Sequence, residues 1–216
     1  MRLQKILVLA AVAALALPTL ASAQLVITGV FDGPLAGGLP KGVELVALED
    51  IADLSQFGLG SANNGGGTDG EEFTFPADSA SQGDVIIVST DTDMFTAFFG
   101  IAPTYDDPGY AVSINGDDAV ELFYMGEVID VFGDIDTDGT GTDWEHLDGW
   151  AYRTSYTYPD GTWVIGNWFF SGPNAWDGEV SNDTAAVPYP LGSYQFDPSV
   201  DAETTTLDGL KALYAR

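Results

Sequence analysis

Apolar and polar positions alternate in short runs along most of the chain, and clusters of Gly, Asp and Asn separate the runs. That pattern predicts many short β-strands joined by turns. Residues 25–31 (LVITGVF) form the first predicted strand, with Asp32-Gly33-Pro34 ending it, and residues 43–48 (VELVAL) form the second. Residues 61–70 (SANNGGGTDG) are read as a flexible loop. Phe73 and Phe75 alternate about Thr74. Val85-Ile86-Ile87-Val88 is a continuous apolar run, the mark of a strand covered on both faces. Residues 119–124 and 127–132 flank Met125-Gly126, which predicts a tight hairpin. Residues 149–153 and 163–170 supply later strands.

Two segments carry helical spacing instead. Residues 92–99 place Met94, Phe95, Phe98 and Phe99 on one side, with Asp91 or Thr92 as cap. Residues 207–214 place Leu207, Leu210, Leu213 and Tyr214 on one face. About eight to ten strands with so little helix predict an all-β sandwich or barrel.

The first residues read differently. Arg2 and Lys5 precede an apolar run over residues 6–17, and Ala21-Ser22-Ala23 follows. This is the pattern of a secretory signal peptide over residues 1–23, cleaved after Ala23. The run is short for a membrane span. The expected organisation is a signal peptide, a β-domain over residues 24–192, and a polar linker with a short helix over residues 193–216. A secreted protein, extracellular or periplasmic and not held in a membrane, is expected.

Charge narrows the function classes. The chain has 33 acidic and 6 basic side chains, a formal net charge of -27. Beyond residue 23 only Lys41, Arg153, Lys211 and Arg216 are basic. Such a surface repels nucleic acid and anionic membranes, so no direct nucleic-acid binding is expected. Hydrophobic residues at 45% are too many for a disordered acidic chain. Without cysteine there is no disulfide framework, thiolate metal site or cysteine nucleophile.

The order of elements carries a resemblance. The strand LVITGVF is followed by Val43-Glu44-Leu45-Val46, Asp53-Leu54-Ser55, Phe73-Thr74-Phe75-Pro76 and Gly83-Asp84-Val85-Ile86-Ile87-Val88. Then come the aromatic helix ending Phe98-Phe99-Gly100, the stretch Asn115-Gly116-Asp117-Asp118-Ala119-Val120-Glu121-Leu122, and Val128-Ile129-Asp130-Val131-Phe132-Gly133. Over residues 24–170 this resembles a lamin-tail-like domain, an immunoglobulin-like β-sandwich, in the version found in secreted bacterial proteins beside extracellular nuclease domains. The resemblance implies an accessory module for binding or structural support, with no catalytic residues of its own. Its partner would be an extracellular protein or polysaccharide.

One short motif points to a metal. Asp134, Asp136 and Asp138 alternate before Gly139, and Glu145 follows at the spacing of an EF-hand calcium loop. Calcium takes six to eight hard oxygens, and alternate acids on a bent loop supply them. The Thr140 carbonyl is a further candidate ligand, Gly139 is expected to shape the bend, and calcium is the expected cofactor. The flanking segments read as strands rather than helices, and position eight is Gly141 where an EF-hand has an aliphatic residue. An ordinary solvated acidic loop is the competing reading.

The alternatives belong to other classes. A calcium-dependent hydrolase or nuclease component would use His146, the only histidine, as a base. The plainer reading makes it a surface or loop histidine. A carbohydrate-binding module would use the late aromatics, Trp144, Trp150, Tyr152, Tyr156, Tyr158, Trp163, Trp168, Phe169, Phe170 and Trp176, as stacking rings. The plainer reading puts most of them in the core. Asp91 with Asp93, Asp106 with Asp107, and Asp117 with Asp118 are read as caps and turns.

Overall fold

The computed structural model describes residues 24–159 and 161–199. The expected signal peptide and the expected helix over 207–214 lie outside the described residues. Among the described residues there are ten strands: β1 (Leu25–Leu35), β2 (Leu39–Ala47), β3 (Phe57–Ala62), β4 (Phe73–Thr74), β5 (Val85–Ser89), β6 (Tyr105–Asp106), β7 (Ala119–Tyr124), β8 (Glu127–Phe132), β9 (Gly149–Arg153) and β10 (Trp168–Phe170). One helix, α1 (Thr92–Phe99), sits between β5 and β6. The strands form a six-stranded sheet, β10-β9-β1-β2-β5-β6, and a four-stranded sheet, β4-β3-β7-β8. Pairing is antiparallel except between β5 and β6. Among the described residues no helix is long and apolar enough to cross a membrane.

The two sheets share one apolar core. Leu25, Ile27, Val30, Val43, Leu45, Ile86, Val88 and Ala151 from the larger sheet pack with Phe57, Leu59, Val120, Leu122 and Phe132 from the smaller. The other face of the larger sheet has a second core. Val26, Phe31, Val46, Ile87, Trp150 and Tyr152 meet Phe95 and Phe98 of α1, with Trp176, Tyr189 and Tyr194 from the segment after β10. The apolar run of β5 is therefore covered on both faces, as its pattern predicts.

A bulge in β1 sets which residues face which core. Pairing with β2 shifts register between Ile27 and Gly29. Before the shift the odd positions Leu25 and Ile27 face the inter-sheet core; after it the even position Val30 does, and Phe31 turns to the outer core. One inserted residue reverses the facing of every later side chain.

Local signals hold where they are strongest. The Asp91 carboxylate accepts the Met94 N–H at 2.8 Å, and Gly100 ends α1 in the left-handed conformation. Met125 and Gly126 both have positive φ, as a two-residue hairpin turn requires. Three expectations are corrected. The first strand does not end at Asp32-Gly33-Pro34 but runs to Leu35, and β2 begins at Leu39. A Cβ on Gly33 would lie 2.4 Å from the Leu39 carbonyl, so glycine serves a close backbone approach there rather than a turn. The expected loop over 61–70 begins late, because β3 occupies Phe57–Ala62. Its Gly58 and Gly60 lie beneath residues 70–71: a Cβ on Gly60 would meet the Gly70 carbonyl oxygen at 2.3 Å, and one on Gly58 would meet Glu71. The strand expected over 163–170 shortens to Trp168–Phe170, preceded by a single 3-10 turn.

Candidate functional site

The acidic loop begins two residues after β8, and Asp134, Asp138 and Glu145 accept hydrogen bonds from the loop itself. Asp134 accepts the Asp136 N–H at 3.1 Å and the Thr137 hydroxyl at 2.9 Å. Asp138 accepts the Thr140 N–H at 2.9 Å, which holds its carboxyl below the usual range. Glu145 accepts the Gly141 N–H at 2.8 Å. The Thr140 hydroxyl donates to Asp117 at 2.9 Å. Among the described residues no three His, Cys, Asp or Glu side chains gather as a metal site. Gly139 is explained by packing: a Cβ there would lie 2.6 Å from the Trp144 ring and 2.7 Å from the Asp117 carbonyl oxygen. The left-handed glycine of the loop is Gly141, with φ 74°.

His146 lies in the loop between β8 and β9, as one of the expectations had it, but not at the surface. It is fully buried rather than a surface side chain, with its ring edge-on to Phe132 at 5.2 Å. Nδ1 lies 3.3 Å from the Trp144 carbonyl oxygen, and Nε2 has no hydrogen-bond partner among the described residues. Burial, with the Lys41 charge adding to it, brings its pKa down to about 4. At neutral pH it is an uncharged core ring, shut off from water.

Beside it lies a buried ion pair. Lys41 on β2 donates to Asp32 on β1, to the Ile114 carbonyl at 2.7 Å and to Asn115 at 3.2 Å. The other Asp32 oxygen accepts the Asp148 N–H at 3.3 Å. Burial pushes the Asp32 carboxyl up to about 6 even with the Lys41 ammonium against it. The pair fastens the β1–β2 hairpin to the loop before β7 and to the start of β9.

A second buried pair joins the two sheets. Arg153, the last residue of β9, gives one guanidinium nitrogen to both oxygens of Asp130 on β8, each at 2.7 Å. Arg153 Nε donates to the Ile27 carbonyl at 2.6 Å, and Asp130 accepts the Ile27 N–H at 2.9 Å. β9 pairs with β1 only from Gly29 onward. The pair thus satisfies the Ile27 backbone groups where no strand does. Arg153 also stacks over Trp168, 4.7 Å from the ring centre.

The outer core holds a buried acid without a cation. Glu44 accepts the hydroxyls of Thr28 at 2.8 Å and Tyr152 at 2.7 Å, and the Gly192 N–H at 3.0 Å. Burial raises its pKa against those donors. Tyr152 Oη accepts the N–H groups of Ser193 and Tyr194, both at 3.0 Å. The chain after β10 is thereby pinned over the sheet. Tyr189 lies on Gly29, where a Cβ would come 1.9 Å from its hydroxyl oxygen and 2.9 Å from the Tyr152 ring. Gly29→Ala is expected to lower stability by about 1–3 kcal/mol through overpacking, measured by urea unfolding. A variant as stable as the parent would mean that the covering segment lifts away freely.

Most of the late aromatics serve these cores. Trp144, Trp150, Tyr152, Trp168 and Trp176 are buried, whereas Tyr156 and Phe169 are exposed. A shallow depression of about 350 Å³ opens at the start of α1, lined by Thr90, Asp91, Thr92, Asp93, Asp106 and Tyr110 among others. Asp91 caps the helix there, and Asp106 accepts the Thr92 hydroxyl. Comparison with protein-family models, with curated proteins and with solved structures finds no match.

Proposed function

We propose that the chain is a secreted, non-catalytic binding or structural module, of the lamin-tail-like, immunoglobulin-like β-sandwich type that its sequence resembles. The observation that carries this reading is the fate of the basic side chains. Lys41, Arg153 and His146 are buried, and each serves the fold. Between residues 24 and 199 the sequence has no other Lys, Arg or His, so the surface there offers charge of one sign. Such a surface has no cation with which to hold a phosphodiester or stabilise an oxyanion. It suits an extracellular protein or polysaccharide partner met through hydrogen bonds or through shared cations. Calcium at Asp134, Asp136, Asp138, Thr140 and Glu145 stays in the proposal on the strength of the motif.

The purified chain is expected to give no turnover of DNA, RNA or simple ester and phosphoester substrates, with calcium or with chelator. His146→Gln serves as the control, its folding checked by circular dichroism. Turnover that persists through purification and vanishes in a folded His146→Gln chain overturns the non-catalytic reading.

A further inference from the structure

Among the described residues six carboxylate side chains are buried: Asp32, Glu44, Asp107, Asp118, Glu121 and Asp130. Five have both oxygens answered. Asp32 takes Lys41 and the Asp148 N–H; Asp130 takes Arg153 and the Ile27 N–H. Glu44 takes two hydroxyls and the Gly192 N–H. Asp107 takes the N–H groups of Gly109 and Val112, and Asp118 those of Asn64 and Asn115. Glu121 is the exception. It is 2% exposed, and its Oε2 has no hydrogen-bond partner among the described residues. An unanswered buried carboxylate oxygen is costly, and neither described cation is free to serve it.

Oxygen atoms gather beside it, next to the Phe123 ring. Glu121 stands opposite Gly60 in the β3–β7 ladder, so the two share a face of the smaller sheet. The glycine-rich loop after β3 crosses that face and brings the Gly70 carbonyl oxygen into the space a Gly60 side chain would fill. The Thr68 hydroxyl reaches Glu121, and the Asp69 carboxylate is near enough for its charge to act there. A strand carboxylate, a loop carboxylate, a hydroxyl and a backbone carbonyl meet at a protein surface with no exposed described cation.

We propose that Glu121, Asp69, Thr68 and the Gly70 carbonyl form a calcium site that fastens the 63–72 loop to the outer face of the smaller sheet. Calcium fits ahead of magnesium because it accepts irregular sets of hard oxygens and completes its shell with water. The site is separate from the 134–145 motif and goes beyond the functional reading, since it holds whether or not the module has a catalytic role. An affinity of about 10⁻⁴–10⁻³ M, as in extracellular modules, would keep it filled outside the cell.

The test is calorimetric titration of calcium chloride into the chelator-treated full chain, beside thermal unfolding with and without calcium. Saturable binding is expected, weakened about tenfold or more in Glu121→Gln and in Asp69→Asn, and unchanged at this site in Asp136→Asn. Asp69 is exposed, so its variant reports on the ion without disturbing the core. The proposal is overturned by no saturable binding, by binding unchanged in both Glu121→Gln and Asp69→Asn, or by binding lost only in Asp136→Asn. The last would place the ion in the 134–145 loop. Stabilisation by Glu121→Gln together with indifference to calcium also overturns it, because Glu121 would then carry a proton instead. None of these results bears on turnover, so the functional reading stands or falls separately.

Discussion

Arg153→Ala is expected to lower the stability of the fold by about 3–5 kcal/mol, the usual cost of stranding one member of a buried ion pair. The reason lies in what Arg153 does at once. It is 2% exposed and Asp130 is fully buried, so water cannot take over the lost contacts. Removing it leaves the Asp130 carboxylate without its cation, the Ile27 carbonyl without its donor and the Trp168 ring without its stacked guanidinium. Arg153→Lys should recover only part of the loss, since an ammonium cannot donate to Asp130 and Ile27 in one plane and stack as well. Replacing both partners, Arg153→Met with Asp130→Leu, should recover most of it, because no buried charge remains. Urea midpoints of the four chains measure all of this. A single Arg153→Ala loss under about 1 kcal/mol would mean that the pair is hydrated and does not tie the sheets.

How much of this was legible in the sequence depends on the range of the forces involved. The helix over 92–99 and the hairpin at Met125-Gly126 were readable because their determinants are local: a capping Asp91, a closing Gly100 and two positions that accept positive φ. β3 was hidden because Gly58 and Gly60 look like loop residues, and the reason for both is a segment passing over them from later in the chain. Asp32-Gly33-Pro34 reads as a turn, yet Asp32 is held by Lys41 and Gly33 by the approach of Leu39. His146 sits in an acidic stretch, and only the fold brings Phe132 against it. The buried ion pairs do carry a signal in the sequence. Lys41 and Arg153 are the only Lys or Arg between residues 24 and 199, each in or beside an apolar run, which is where a buried counter-charge would be placed.

Stability is also expected to be higher in mildly acidic solution than at neutrality. Burial holds Asp32 at about 6 instead of 3.8, and it raises Glu44, Asp118, Glu121 and Asp130 as well. Each of these groups binds its proton more tightly in the folded chain than in the unfolded one. Its contribution is therefore complete below the ordinary carboxylate pKa and is lost as pH rises through the folded value. For Asp32 that window runs from 3.8 to about 6, which corresponds to about 3 kcal/mol. His146 opposes the trend. Its pKa is lowered from 6.5 to about 4, so its contribution is complete above 6.5 and lost as pH falls, again by about 3 kcal/mol. One histidine faces five carboxyl groups, and protonating surface acids also relieves the self-repulsion of the compact state. The net slope should follow the carboxyl groups. Urea unfolding in chelator, near pH 5 and near pH 7, should give the higher midpoint at the lower pH, and His146→Gln should widen the gap by removing the opposing group. A parent chain less stable near pH 5 than near pH 7 would show that the buried carboxyl groups stay ionised in the fold, and the assignment of their raised affinity for protons would have to be abandoned.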